Sequence, residues 1–272
     1  MTSAPDMRFI CLLYHDVFPE GGDYGSLGES AARYHVPLET FRRHLDRIAE
    51  TGMRVLSHGE MTGASSGGGD GVGITFDDGW KWSLEIAAAE LAERRMPASY
   101  FITTGFLDRP HFAGASELRA LDPTLFTIGS HGSTHRMLSS LAVPEIIKDL
   151  RESRERLEQI LGRRVTAVSI PGGAVDVRVR RAAVEAGYDA IFDSSIRVNP
   201  GRLGARGIGR LGITRYTTPE TLDRYLRFDL TRDRVRKGVL ALPKKVLGMR
   251  LYSWTRRLLM GETTKGQHHF DP

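Results

Sequence analysis

The sequence predicts an α/β protein folded as an incomplete, distorted (β/α) barrel, followed by a basic helical appendage. Short apolar runs alternate with segments of helical periodicity, and this alternation calls for a parallel sheet covered by helices. Acidic and histidine side chains directly follow several of these runs, as they do at the active face of such barrels. At 272 residues the chain is long enough for one such domain with a substantial core.

Three apolar runs in the first third of the chain predict buried strands, at residues 8–15, 53–56 and 72–76. The glycine-rich stretch at residues 17–35 lacks periodicity, so we expect a long loop of the kind that shapes a substrate cleft. Residues 64–71 are mostly Gly and Ser and predict a surface loop before the third strand.

Helices and strands alternate through the rest of the barrel region. Apolar residues at helical spacing, together with stop signals such as Gly52, Pro97 and Gly162, predict the helices. These helices span residues 37–51, 83–95, 116–121, 144–161 and 177–186. Further apolar runs predict strands at residues 98–103, 124–129, 165–170 and 188–192. The order of elements is that of a (β/α) barrel.

The cysteine content and the distribution of charge exclude some classes of protein. The single cysteine, Cys11, lies in an apolar run, which excludes a disulfide framework and predicts a buried thiol. The sequence pI is near 9.5, but the basic charge is concentrated in residues 221–260, which hold eleven Lys or Arg against three Asp. No nucleic-acid recognition motif accompanies this charge, so no nucleic-acid partner is expected.

The chain divides into a barrel domain at residues 1–218, a basic appendage at 219–260 and a disordered tail at 261–272. Apolar and basic residues interleave over 235–260, which suits an amphipathic helix on an anionic membrane and equally a helix packed on the barrel. Residues 1–19 carry no export signal. We therefore expect a cytoplasmic protein, peripheral on the inner face of the membrane if the appendage binds lipid.

The motif Asp77-Asp78-Gly79 ends the apolar run at residues 72–76. Adjacent carboxylates repel one another, so either both face water or a cation holds at least one of them. Asp-Asp-Gly alone is more often a solvated turn. The sequence therefore needs a second group nearby before this motif predicts a site.

A histidine pair follows the run at residues 124–129 and supplies that group. His131 and His135 stand at i and i+4, and on one helical turn both imidazoles would point the same way. Two His and one Asp, all at strand ends, form a three-ligand site for a divalent metal with open positions for water and substrate.

These two motifs resemble the first two motifs of the polysaccharide deacetylases, the NodB-homology carbohydrate esterases. The matching residues are 75–79, Thr-Phe-Asp-Asp-Gly, and 130–135, Ser-His-Gly-Ser-Thr-His. The resemblance covers roughly residues 8–215 and implies a NodB-homology barrel. It also implies Asp77 as the catalytic base and Asp78, His131 and His135 as ligands of a divalent metal, usually zinc.

The third motif departs from the family's pattern. The predicted strand at residues 165–170 ends in Pro171, Gly172 and Gly173, as in a subgroup with Pro-Gly-Gly that is often associated with polysaccharide export. We expect these three residues to line the substrate site. A backbone N–H of Gly172 or Gly173 can still point at an oxyanion, and Gly172 stands where relatives have an aromatic residue.

A second departure concerns the arginine that orients the base. Relatives commonly have it two residues before the proline, where this chain has Ser169. This arginine favours the ionised form of the catalytic Asp, so Asp77 needs another cation. We hypothesise that Arg210 is the replacement, because it follows a glycine-rich turn near the end of the barrel region.

His15 closes the first predicted strand. A histidine at such a place is more often structural. In deacetylases that begin with a Tyr-His strand, however, the domain resembles a circularly permuted form of the family's catalytic domain. This N-terminal histidine then takes the role that a histidine late in the sequence has in other members. No Leu-x-His motif follows Tyr188 here. The resemblance therefore implies His15 as the general acid.

Two further residues are candidates for substrate contact. Trp80 follows the Asp-Asp-Gly turn and suits a sugar-stacking platform as well as a core anchor. Asp193 follows the strand at residues 188–192, where relatives often have an acid or Trp near the site. It suits a turn residue equally well.

The expected function is metal-dependent removal of an acyl group, N-acetyl above all, from an amino sugar in a poly- or oligosaccharide or a lipid-linked glycan. One alternative is a deformylase or amidohydrolase acting on a small amide that is not a polysaccharide. Another is a catalytically lapsed barrel that binds polysaccharide. The missing arginine favours the lapsed barrel, and the complete Asp-Asp and histidine motifs argue against it.

Overall fold

The computed structural model describes residues 7–22, 32–65, 69–201 and 207–236 of the chain. Its main element is a ten-stranded, largely parallel sheet that curls into a nearly closed barrel. Among the described residues the strands are β1 (Arg8–Tyr14), β2 (Asp16–Phe18), β3 (His35–Pro37), β4 (Arg54–Val55), β5 (Gly71–Phe76), β6 (Ala98–Ile102), β7 (Phe126–Ser130), β8 (Ala167–Ser169), β9 (Ala190–Asp193), β10 (Asn199–Pro200), β11 (Ile208–Gly209) and β12 (Leu211–Gly212). All except β2 and β3 belong to the ten-stranded sheet.

Helices follow most of the strands. They are α1 (Leu38–Glu50), α2 (His58–Thr62), α3 (Ala88–Glu93), α4 (Ala115–Ala120), α5 (Val143–Leu161), α6 (Val177–Glu185) and α7 (Pro219–Leu226). A π-helical turn, Ser83–Ala87, leads into α3, and single 3₁₀ turns lie at Thr104–Phe106, Leu138–Ser140 and Pro171–Gly173. The long helix α5 places Ile146, Leu150 and Leu157 against the sheet at helical spacing and ends at Gly162 in the left-handed conformation.

The segment that contains β11 and β12 nearly closes the barrel. The sheet order is β10-β1-β5-β6-β7-β8-β9-β11, and β12 pairs with β1. Ile208 and Gly209 pair with β9, whereas Leu211 and Gly212 pair with β1. A single crossing segment therefore spans the last gap between β9 and β1. The residue between its two halves is Arg210.

Two apolar layers follow from the alternation of side chains along the strands. Inside the barrel, one cluster joins β1, β6, β8, β9 and β11 and contains Met7, Phe9, Cys11, Leu56, Met61, Phe101, Ala167, Ala190, Phe192 and Ile208. Under the helices, Phe76 stacks on Tyr14 and Tyr100 with ring centroids 5.4 and 4.8 Å apart. The predicted buried thiol Cys11 lies in the inner layer, 3.9 Å from the sulfur of Met61.

The predicted α/β barrel fold is confirmed, and the differences are local. The stretch expected to be a long loop overlaps β2 at its start and β3 at its end, and these strands pair in parallel as a small separate sheet. Part of the helix predicted over residues 83–95 is π-helical. The strands of the closing segment are two residues each, too short for an apolar pattern to reveal them.

The chain splits into two compact units, residues 1–229 and 230–272. The first unit extends past the predicted boundary at 218, because α7 buries Leu222, Tyr225 and Leu226 and its Asp223 pairs with Arg47 of α1 at 2.6 Å. In the second unit, residues 231–236 are helical. The rest of the proposed membrane segment and the predicted tail lie outside the described residues. Among the helices that are described, none combines the length and apolarity needed to cross a bilayer.

Candidate active site

Strand register brings the predicted site residues to one edge of the barrel. Tyr14 pairs with Phe76, so His15 and Asp77 leave their strands side by side, and the N–H of Asp77 donates to the carbonyl of Tyr14. His131 leaves β7 next to β6, and its N–H donates to the carbonyl of Ile102 at 2.8 Å. These are carboxyl ends of parallel strands, the face at which such barrels place their chemistry.

Arg210 lies on the carboxylate of Asp77. Its two terminal nitrogens donate to Oδ1 and Oδ2 at 2.7 and 2.8 Å, which is a bidentate pair. Nη2 also donates to the hydroxyl of Ser169 at 2.6 Å, and that hydroxyl donates to Oδ2 of Asp77 at 2.9 Å. Arg210 is only 1% exposed. The structure therefore brings an arginine to the position where Ser169 left the base without one, from the closing segment.

The surroundings of Asp77 favour its ionised form. Burial by itself would raise the pKa of this carboxyl, but the positive charge of Arg210, with a smaller contribution from the nearby His131, outweighs burial and lowers the pKa below its ordinary value. A carboxylate held unprotonated beside the guanidinium of Arg210 can accept a proton from water at neutral pH. Whether Asp77 performs that step in this chain stays a prediction.

Asp78, His131 and His135 converge on one point, with candidate ligand atoms all within 4.8 Å of one another. Nε2 of His135 lies 3.1 Å and Nε2 of His131 lies 3.4 Å from Oδ1 of Asp78. This Oδ1 atom is buried and has no hydrogen-bond partner. A buried carboxylate oxygen without a donor is costly unless a cation meets it. Two imidazoles and one carboxylate match the ligand set of a divalent transition metal.

Two of the three groups are in the protonation state that a metal ligand needs. Burial would lower the pKa of the third, His135, but Asp78 outweighs burial and raises it, so a bound metal would displace that proton. Nδ1 of His131 lies 2.8 Å from the carbonyl of Ser169, which fixes the proton on Nδ1 and turns the lone pair of Nε2 toward Asp78. Burial lowers the pKa of His131, so the neutral ligand form prevails. Burial would raise the pKa of Asp78, but the nearby His135 lowers it well below the usual range. The carboxylate is therefore ionised.

The histidine pair does not lie on a helical turn, and that prediction was wrong. Residues 131–135 form an irregular loop in which Gly132 and His135 have φ values of 76° and 58°. Asp78 is also left-handed, with φ of 74°. Non-glycine residues adopt this conformation at a cost and usually where the surroundings enforce it. Two of the three candidate ligands thus stand on strained backbone.

Asp149 enforces the shape of the histidine loop, and the sequence analysis missed it. One of its oxygens accepts the N–H of Ser133 at 2.9 Å, and the other accepts the N–H and hydroxyl of Thr134 at 3.0 and 2.5 Å. Asp149 is 4% exposed, on the face of α5 that also buries Ile146 and Leu150. A carboxylate in register with an apolar helix face was the signal that could have revealed it.

His15 is near the other candidate catalytic groups. Asp78 and Asp77 act on it electrostatically, but burial outweighs their effect and lowers the pKa of His15. Its ring lies 4.5 Å from that of Tyr34, and its buried Nδ1 has no hydrogen-bond partner. The structure therefore places His15 at the site, and its role as the general acid remains a prediction.

The three residues of the Pro-Gly-Gly turn have different surroundings, and only Gly172 is exposed. Gly172 is exposed and left-handed at φ 66°. The N–H of Gly173 is already bonded to the carbonyl of Ile170 at 2.8 Å, so Gly172 carries the candidate oxyanion donor. Pro171 is buried beneath the histidine loop, near Gly132, rather than at a substrate surface. Gly173 packs on Ser194, which leaves no room for a side chain there.

Two predicted substrate contacts are wrong. Trp80 is 4% exposed, with its ring against those of Phe112 and His35, so it has no free face for a sugar. Asp193 is buried and turned into its own loop. Its oxygens accept from the N–H of Ser195 at 2.8 Å and from Arg197 at 3.3 Å, while its carbonyl accepts from Nε of Arg210. Asp193 therefore supports Arg210 instead of meeting substrate.

Comparison with known proteins gives a family match over part of the chain. Residues 64–191, which contain both metal motifs and Pro171, match the family model for polysaccharide deacetylase. No curated protein sequence matches the chain. Solved structures of similar fold include three bacterial proteins. The Streptococcus pyogenes deacetylase PplD in complex with acetate has a TM-score of 0.68 and 17% identity, covering 80% of this chain and 97% of its own.

The other two have similar values. A de-N-acetylase from Aggregatibacter actinomycetemcomitans has a TM-score of 0.68 and 18% identity, covering 80% of this chain and 99% of its own. IcaB from Ammonifex degensii has a TM-score of 0.67 and 20% identity, covering 82% and 97%. At such identities the structures establish the fold alone. Residues 64–191 thus match the polysaccharide deacetylases, hydrolases that act on carbon–nitrogen bonds other than peptide bonds, and the barrel has the fold of solved members of that family.

Proposed function

We propose that the chain is a metal-dependent deacetylase that removes N-acetyl groups from amino sugars in a poly- or oligosaccharide or a lipid-linked glycan. The observation that carries the metal dependence is the buried Oδ1 of Asp78, which has no hydrogen-bond partner and faces Nε2 of His135 and His131 at 3.1 and 3.4 Å. Zinc fits this ligand set best, because it favours imidazole nitrogen with one carboxylate and leaves a position open.

A divalent cation held by Asp78, His131 and His135 would lower the pKa of water and polarise the acyl carbonyl. Asp77 is the group placed to accept the proton of the attacking water. Arg210 and Ser169 hold its carboxylate in one orientation and keep it ionised. General-base catalysis of this kind supplies about 10² to 10⁴-fold in rate.

Two other groups complete the proposed reaction. The exposed N–H of Gly172 is the candidate donor to the oxyanion that forms as water adds to the carbonyl. His15 is the candidate acid that delivers a proton to the leaving amine. Because burial lowers its pKa, His15 is mostly neutral at pH 7 and must gain that proton during turnover.

The saccharide part of the proposal is supported by the relatives and by two exposed side chains beside the site. The S. pyogenes protein is a deacetylase solved with acetate, and a second relative is a de-N-acetylase. Tyr34 is 37% exposed against the ring of His15, and Met137 is 53% exposed near Gly172. Amphipathic rings such as that of Tyr34 suit the apolar faces of sugars, which Trp80 is too buried to meet.

The catalytically lapsed barrel loses its main argument. That alternative depended on the arginine absent at Ser169, and Arg210 supplies a guanidinium to Asp77 instead. A deformylase or amidohydrolase for a small amide would use the same groups. Only substrate tests separate it from the deacetylase.

The experiment is a metal and activity assay on three proteins. Elemental analysis of the wild type, truncated before His268 to remove the tail histidines, should give about one divalent ion per chain. Asp78→Ala should lose the ion, whereas Asp77→Asn should keep it and lose acetate release from N-acetylated oligosaccharides. A wild type that takes up no divalent metal would overturn the proposal. Release of formate or ammonia from small amides, without acetate from saccharides, would favour the alternative.

A further inference from the structure

We propose that Trp80 is a positioning residue for the metal carboxylate, which it restricts to a single ligand oxygen. The proposal rests on the metal-dependent function argued above and assigns to Trp80 a role other than substrate contact. The indole Nε1–H of Trp80 donates to Oδ2 of Asp78 at 3.1 Å. The other oxygen of the same carboxylate, Oδ1, is the one that faces the two histidines.

Binding by one oxygen rather than two matters to the chemistry. A carboxylate can hold a cation through one oxygen or through both. With Oδ2 bonded to the indole, Asp78 supplies one ligand, and the two imidazoles supply two more. Three protein ligands leave the open positions that a catalytic site needs for water and substrate. A freed Oδ2 could take one of those positions.

The backbone brings the indole back onto its own turn. Asp78 and Gly79 are both left-handed, with φ of 74° and 91°, so the chain reverses within two residues and Trp80 returns beside Asp78. The carbonyl of Gly79 then accepts from the N–H of Ala113 at 3.0 Å. This reversal brings the indole N–H of Trp80 into contact with the carboxylate of Asp78, two residues earlier in the chain.

The ring is clamped from several sides. Phe112 contacts it with ring centroids 4.4 Å apart, and His35 meets it edge to face at 4.5 Å and 79°. His35 is itself buried beside Asp16, with Nδ1 and Oδ2 3.1 Å apart. The small β2–β3 sheet thus carries a buried His-Asp pair whose contact is the ring of Trp80 rather than the metal. Such packing fixes the direction of the indole N–H.

The test removes the N–H and keeps an aromatic ring. Trp80→Phe is compared with the wild type and with Trp82→Phe, which makes the same chemical change two residues further on. Each metal-free protein is titrated with Zn²⁺, and with Co²⁺ as a spectroscopic probe. Loss of outer contacts to metal ligands typically weakens binding about 10- to 100-fold. We expect that loss in Trp80→Phe only, with a weaker visible Co²⁺ spectrum because the coordination number rises.

The outcomes separate this inference from the proposed function. Absence of metal binding in the wild type would refute the function and the inference together. Wild-type affinity and an unchanged Co²⁺ spectrum in Trp80→Phe would refute the inference alone.

A second measurement tests the proposal even if Trp80→Phe does not fold. The chain has three tryptophans, Trp80, Trp82 and Trp254, so Trp82→Phe and Trp254→Phe assign the Trp80 indole signal by elimination. Its N–H proton should exchange slowly with solvent in the wild type. Exchange as fast as that of a free indole would show that the bond to Asp78 does not persist and would overturn the proposal.

Discussion

Replacing Arg210 by Met should destabilise the protein strongly and shift its acid limb of activity. Met fills a similar volume but removes both bonds to Asp77 and the bond to Ser169. Breaking a buried ion pair by removing one partner costs about 3–5 kcal/mol, because the remaining charge is left buried. Two charge-assisted bonds at about 1.5–3 kcal/mol each give a consistent sum. We therefore expect a loss of about 4 kcal/mol in unfolding free energy.

The activity of the Arg210→Met variant should respond to pH in a definite direction. Burial alone raises the pKa of Asp77, and Arg210 is the largest influence that opposes it. Without the guanidinium the carboxyl needs a higher pH to ionise, so the acidic limb of kcat/KM moves upward. Arg210→Lys, which keeps the charge without the bidentate geometry, should fall between the wild type and Met.

The assays are urea unfolding followed by circular dichroism, and acetate release across pH. Arg181→Met is the matched control, since this exposed arginine of α6 should change the unfolding free energy by less than about 0.5 kcal/mol. The double variant with Asp77→Asn should recover part of the lost stability, because the unpaired charge is gone. Additive losses in that cycle, or an Arg210→Met variant within about 1 kcal/mol of the wild type, would refute the reasoning.

Four further outcomes are expected. Asp149→Ala leaves the N–H groups of Ser133 and Thr134 without their acceptor. It should therefore lower the unfolding free energy by about 2–4 kcal/mol and weaken Zn²⁺ binding. Unchanged Zn²⁺ affinity would contradict the role of Asp149. His15→Gln should lower kcat by about 10²-fold or more with metal content unchanged, and full turnover would exclude His15 as the acid. The pKa of Asp77 is lowered in the folded state, so its contribution to metal-free stability is complete above its ordinary pKa of 3.8 and is lost as pH falls through the lower folded value. In urea unfolding, the stability advantage of the wild type over Asp77→Asn should therefore shrink below about pH 4. A constant stability difference down to about pH 2 would contradict this direction. Removal of residues 237–272 should abolish any salt-sensitive binding to anionic vesicles, and no binding by the full chain would favour a helix that packs on protein.

The catalytic edge could be predicted from the sequence because its signals are local. Each candidate ligand or base directly follows an apolar run, as Asp77 follows β5 and His131 follows β7. Parallel strands end at a common edge, so a residue just past each run must lie near the others. Register then made the pairing of His15 with Asp77 a consequence of two strands that the sequence already located.

The backbone of the site could not be predicted in this way. The spacing of His131 and His135 fits a helical turn, but the loop is shaped by bonds to Asp149 on α5 and by the left-handed Gly132. Those bonds join residues 15 and 16 positions apart, and no local pattern encodes them. From the sequence, Trp80 could likewise be interpreted as an exposed platform for a sugar. Only its packing against Phe112 and His35 excluded that interpretation.

The sequence by itself determined the order of the main strands and helices, the metal-site residue types and the absence of an arginine two residues before Pro171. The sequence suggested Arg210 for that role from the glycine-rich turn before it, but only the tertiary structure shows that this arginine reaches Asp77. Residues 208–212 pair with β9 in their first half and with β1 in their second, so closure of the barrel holds Arg210 inside it, 133 residues along the chain from its partner. The physical reason is that a buried carboxylate takes its cation from whichever strand the closing sheet places beside it, and sequence distance does not enter that balance.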